Sequence, residues 1–275
     1  MRLPKVFLVT GYLFLLSWWL IINLYGLRDS LGNLYFSLGI AFYSLLLGLY
    51  IFHTVFGSYP VEKLRKSVLV LCLGVISFGV SNLIWIYLSF IYTAVLFPSF
   101  ADIFHLIQFS FFIVGLLFVS EFRLRAVIGK GLFALTLISI LALLPVQIIG
   151  TNYFDVKTYF LFYLSLISLF SFILSLFMTM RNSRQGGRTP FLIIISLGFL
   201  SLFVGDIFFI YEVLTVTHFS AGFPDLLYLT GISMILFGII IWGESKGTSL
   251  FFSEDGLTLF RKITYKVPTS LNVHM

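Results

Sequence analysis

Runs of about 20 apolar residues recur from one end of this 275-residue chain to the other. Each is long enough to cross the hydrocarbon core of a bilayer as a helix. Water is the wrong solvent for such a chain: 60% of its residues are hydrophobic and 10% charged, where a soluble domain carries about 25% charged residues. The runs are continuous rather than alternating, which selects helices over barrel strands. Eight spans are expected, at residues 5–25, 33–56, 67–92, 102–120, 128–149, 158–180, 190–214 and 224–243. The first follows a short basic stretch as a signal peptide would. It is about 20 residues long and lacks a small-residue cleavage site, so a retained span is expected.

The positive charges orient the spans. One set of connections holds Arg2 and Lys5, then Lys63, Arg65 and Lys66, then Arg123, Arg125 and Lys130, then Arg181, Arg184 and Arg188, and finally Lys246, Arg261, Lys262 and Lys266. The alternate connections hold only Arg28 and Lys157 of the 17 basic residues. Basic loops stay on the cytoplasmic side, so a cell-membrane protein with both termini in the cytoplasm is expected. The net charge of +6 is thus a topology signal, and no nucleic-acid partner is expected. The single cysteine, Cys72, lies in an apolar run and offers neither an intrachain disulfide nor a cysteine-based metal cage.

The same unit is written twice. Adding 124 to a position in the first half takes Tyr35 to Tyr159, Ser77 to Ser201, Ser81 to Gly205, Asn82 to Asp206, Tyr87 to Tyr211 and Asn23 to Gln147. After a one-residue slip, Asp102 matches Asp225 and His105 matches Tyr228. Apolar helices resemble one another by composition alone, but these rarer residues do not recur by composition. Two parallel four-helix repeats are therefore expected, residues 1–124 and 125–243, followed by a cytoplasmic tail at 244–275. Four spans per unit keeps both copies in the same orientation, with a pseudo-twofold axis along the membrane normal. The small-xxx-small pairs Ser77/Ser81 and Ser201/Gly205 imply close packing, and spans 3 and 7 are expected to face each other across that axis. In the tail, residues 248–261 alternate around Asp255-Gly256, a short β-hairpin signal.

With direction fixed, the repeated polar positions all fall in the outer half of the membrane. Asp206 stands among apolar neighbours, where an ionisable side chain costs about 2.5–3.5 kcal/mol and should face protein or a wet cavity. Its reading is a ligand, ion or proton site, or a hydrogen-bonded structural Asp; the match to Asn82 is compatible with the second. Asp102 and Asp225 open their helices. Ser99-x-x-Asp102 is a capping-box pattern, and Pro224 with Asp225 suits a first turn. Asp102 and His105 share a helix face. Such a pair can bind a metal or relay a proton, and more often is simply hydrogen-bonded. No metal or other cofactor is expected. The candidate ligand-binding residues are Asn82, Tyr87, Asp102, His105, Asp206, Tyr211, Asp225 and Tyr228; no catalytic residue is assigned.

The stretch Phe97-Pro98-Ser99-Phe100-Ala101-Asp102-Ile103-Phe104-His105-Leu106 resembles a Phe-Pro-x-x-Ala-Asp-x-x-Tyr-Leu pattern of multi-helix membrane sensor regions. These stand at the N-termini of prokaryotic signalling proteins, ahead of PAS, histidine-kinase or diguanylate-cyclase domains. The resemblance covers residues 5–243, with His105 in place of the usual Tyr, and no stretch of the 275 residues reads as such an output domain. It implies a sensor or receptor-like module that binds a small ligand or lipid from the outer side and meets a cytoplasmic signalling partner. The parallel duplication also suits a transporter, against which stands the lack of polar residues in the inner half. An intramembrane lipid-modifying enzyme would draw on Asp102, His105, Asp206, His218 and Asp225, without a nucleophile motif. No lysine lies mid-span to hold a retinal.

Overall fold

A computed structural model of the chain describes residues 3–27, 31–58, 62–91, 99–119, 156–184, 190–215 and 221–245. They form seven helices: α1 (Leu3–Leu24), α2 (Leu31–Ser58), α3 (Glu62–Ile91), α4 (Phe100–Val119), α5 (Val156–Arg184), α6 (Pro190–Leu214) and α7 (Phe223–Ser245). All seven are long and apolar enough to cross a membrane, and the chain is a multi-pass membrane protein. Among the described residues there is no strand. The expected span at 128–149, the boundary between the two repeats and the hairpin at 248–261 lie outside the described residues.

Local sequence sets the helix ends. Pro190 opens α6, where its missing N–H costs nothing. α1 stops at Gly26, whose φ of 66° is a left-handed conformation that glycine adopts without penalty. The Leu27 N–H then donates to the Ile22 carbonyl at 3.0 Å, a Schellman closure that satisfies an end carbonyl. α3 begins five residues earlier than the apolar run, because Glu62, Lys63, Arg65 and Lys66 are good helix formers that carry the helix out of the apolar layer.

The helices close into a ring. Each packs on its neighbours in chain order and α1 returns to pack on α7; α7 also touches α2 and α3 from inside. Lipid offers no hydrophobic drive for helix association, so close van der Waals fit and interhelical hydrogen bonds must hold the ring. Glycines supply the fit in two places. At Gly74 an added Cβ would meet the Phe112 ring and lie 3.2 Å from the Gln108 carbonyl oxygen; at Gly198 it would lie 2.8 Å from the Gly231 carbonyl oxygen and 2.8 Å from Ile235. α3 and α4 therefore meet much as α6 and α7 do. Serines supply the hydrogen bonds: buried Ser67 Oγ donates to the Gly115 carbonyl at 2.7 Å, buried Ser81 Oγ to the Ala101 carbonyl at 2.7 Å, and half-buried Ser201 Oγ to the Leu227 carbonyl at 2.8 Å.

These contacts show which helices the small residues serve. The small residues of spans 3 and 7, now α3 and α6, do not bring those helices together. Ser81 serves α4, Ser201 serves α7, and Gly205 receives the Tyr228 ring of α7. Among the described residues α3 and α6 make no backbone-level contact. Small residues let in the helix that follows next in the chain, and what separates α3 from α6 is a cavity.

Candidate functional site

The cavity lies at the end of the bundle where α1, α3 and α6 finish and α2, α4, α5 and α7 begin. Ser37 of α2, Asn82 and Trp85 of α3, Asp102 and His105 of α4, Leu161 of α5, Asp206 and Phe209 of α6, and Asp225 and Tyr228 of α7 are among its walls. Its volume is about 80 Å³. About 10–15 Å³ of such space is enough to hold one water, so the cavity suits several waters or one small ligand group.

Six of the eight candidate residues line it: Asn82, Asp102, His105, Asp206, Asp225 and Tyr228. The other two do not. Tyr87 and Tyr211 are 63% and 64% exposed and lie on the outward faces of α3 and α6. They sit near the helix ends, where an interfacial aromatic belt accounts for them.

The two helix-opening carboxylates are tied to the chain before them. Asp102, 4% exposed, accepts from the Ser99 N–H at 2.6 Å and the Ser99 Oγ–H at 2.9 Å, both on Oδ2. The carboxylate thus takes up the otherwise unsatisfied N–H that precedes the helix, while the Asp102 N–H itself donates to the Ser99 carbonyl at 3.1 Å. Asp225 Oδ2 accepts the Ala221 N–H at 2.7 Å. Ala221 has a φ of 64°, a region disfavoured for a residue with a Cβ and sustained only where surroundings enforce it. α1 enforces it from the other side. Asn23 Nδ2 donates to the Ala221 carbonyl at 3.2 Å and Trp19 Nε1 to the Gly222 carbonyl at 3.0 Å. Capping is thus a full account of where these two carboxylates sit, and it leaves them facing the cavity.

Asp206 is placed differently. Its Oδ1 accepts the Tyr228 hydroxyl at 2.8 Å, a bond between α6 and α7. Its Oδ2 is buried and has no hydrogen-bond partner. Ser168 of α5 lies beside the carboxylate, but its own buried Oγ closes no bond to it. The matching residue of α3 behaves otherwise: Asn82 Nδ2 donates to the Phe78 carbonyl within its own helix at 2.9 Å.

Aromatic rings fill the space between. Phe78 lies 5.9 Å from the His105 ring and 6.2 Å from the Tyr228 ring, centroid to centroid. Phe109 lines the cavity, and beyond it Phe112 and Phe199, both fully buried, meet edge to face at 5.2 Å. Sequence reading missed one member of this neighbourhood. Gln108 is 1% exposed and its Oε1 lies 3.0 Å from His105 Nδ1. A Gln three residues after a His inside an apolar run was the available signal. Among the described residues, no three His, Cys, Asp or Glu side chains come together as a metal cage. His218 lies outside the described residues.

No family model, curated protein or solved structure matches this chain.

Proposed function

We propose that this multi-pass membrane protein is a sensor or receptor-like module that takes a small ligand in its cavity from the outer side of the membrane. The observation that carries the reading is the convergence of six rare polar residues, from four helices, on one cavity at one end of the bundle. Buried polar groups in an apolar fold are costly to keep unless they serve structure or a ligand, and capping accounts only for Asp102 and Asp225.

The outer placement follows from charge. Among the helix residues, Lys5, Lys63, Arg65, Lys66, Arg181 and Arg184 all sit at the end away from the cavity, and only Lys157 sits near it. Basic residues favour the cytoplasmic side, so the cavity end is the outer end. The proposal includes two parallel four-helix repeats, the fifth span being at 128–149. Its support is the matched glycine packing of α3 on α4 and α6 on α7. A receptor is favoured over a transporter by the Phe112–Phe199 contact, which sets two buried rings on the inner side of the cavity.

Thiol accessibility tests this. Ile86 lines the cavity, and the native Cys72 is fully buried. In intact cells, the thiol introduced by Ile86→Cys should react with a small polar, membrane-impermeant reagent added outside. Reaction only from the cytoplasmic face, or none in unfolded-free preparations, would sink the proposal.

A further inference from the structure

We infer that the group bound in this cavity is a small organic ammonium cation, seated between Asp206 and an aromatic wall. The inference rests on the reading of the cavity as a ligand site and adds the chemical class.

Three carboxylates line the space, those of Asp102, Asp206 and Asp225, and among the described residues no lysine or arginine does. An anion there would face carboxyl groups in a poorly screened setting, with no cation among the described lining residues to offset them. Two of the carboxylates are already engaged by the N–H groups of Ser99 and Ala221. Asp206 is the one that no backbone N–H engages; its buried Oδ2 closes no bond, although the Ser168 hydroxyl lies beside the carboxylate. A buried acceptor in that condition costs about 1–3 kcal/mol, and a donor entering the cavity relieves it.

The walls choose among donors. Phe78, Trp85, Phe109, Phe209 and Tyr228 surround the space, and ring faces attract cations, Trp most of all. A bare divalent ion finds no ready ligand set, because the acidic side chains do not gather into a metal cage among the described residues. An alkylammonium is the right kind of cation. Its N–H groups satisfy a carboxylate and its carbon faces the rings. The volume of about 80 Å³ admits a methylammonium-sized group. That group is either a free small amine or the ammonium end of a lipid headgroup, and the two share their recognition chemistry.

The test uses the purified full chain in detergent, with melting followed by intrinsic fluorescence. Methylammonium chloride in tenfold excess over its Kd should raise Tm by roughly 2–4 °C relative to sodium chloride at equal ionic strength. Sodium acetate and glycerol should not. Asp206→Asn should abolish the rise. In lipid nanodiscs, a higher Tm with phosphatidylethanolamine than with phosphatidylglycerol, and no further response to methylammonium, identifies the headgroup as the source. Equal stabilisation by acetate or glycerol overturns the cationic class, and so does a flat response to every probe. Should Asp206→Asn fail to fold, charge selectivity is read at the thiol introduced by Ile86→Cys. An aminoethyl thiosulfonate should then react at least about tenfold faster than its sulfonatoethyl counterpart, tenfold being the difference that one modest charge–charge preference yields. Equal rates overturn the ammonium assignment while leaving the cavity as a ligand site; failure of both reagents to react removes the ligand site as well.

Discussion

α3 with α4 and α6 with α7 pack alike and bond differently. In both pairs a glycine admits the neighbouring helix at the same relative place, Gly74 against Phe112 and Gly198 against Ile235. Around the cavity the likeness ends. Asn82 and His105 spend their hydrogen bonds within their own helices, on Phe78 and Gln108. Asp206 and Tyr228, at the matching positions, bond each other across two helices. The apolar packing of such a pair is thus separable from its polar chemistry. One pair is a self-contained wall, and the other is joined through the group that faces the cavity.

The comparison is open to attack at three strengths. The largest effect is expected at the glycines. Gly198→Ala places a Cβ against backbone, the Gly231 carbonyl, whereas Gly74→Ala meets chiefly the Phe112 ring. Overpacking costs about 1–3 kcal/mol, and backbone yields less than a ring edge. Gly198→Ala should fall at the upper end of that range and Gly74→Ala at the lower, as read by melting in detergent. A reversed order would show that the two pairs do not pack as described. The intermediate effect concerns the cross-helix bond. Asp206→Ala should cost about 1–3 kcal/mol by leaving the Tyr228 hydroxyl unpaired, and Asn82→Ala less than about 1 kcal/mol. A double-mutant cycle of Asp206→Ala with Tyr228→Phe should return a coupling above about 0.5 kcal/mol; additivity would mean that the bond does not join the helices. The smallest effect is expected outside the cavity: Tyr87→Phe and Tyr211→Phe should each change stability by no more than about 0.5 kcal/mol and leave reactivity at Ile86→Cys unaltered.

Much of the architecture was legible because a bilayer imposes length and apolarity on every span. Seven of the expected spans correspond to α1 through α7, with ends displaced by a few residues where charged helix formers continue past the apolar layer. The cavity's neighbourhood was legible for a related reason. Asn82, Asp102, His105, Asp206, Asp225 and Tyr228 are conspicuous in an apolar sequence, and helical position gave each a depth. Azimuth was harder to read. Tyr87 and Tyr211 share that depth but point outward, and nothing in an all-apolar helix marks which side meets lipid. Partner choice was harder still. That Asp206 bonds Tyr228, that Ser81 serves α4 rather than α6, and that Gln108 is buried under His105 depend on which helices become neighbours, which spacing along one chain does not encode.

The strained turn at Ala221 has a consequence for how the cavity comes into being. Its conformation is fixed from one side by Asp225 and from the other by Trp19 and Asn23, residues about 200 positions earlier in the chain. The first helix made and the last one described therefore share a clasp, and its loop closure spans most of the sequence. A chain that has inserted α1 through α6 still lacks Asp225 and Tyr228, and with them one wall of the cavity. The complete cavity is accordingly a property of the finished bundle, acquired with the last helix and not assembled by halves.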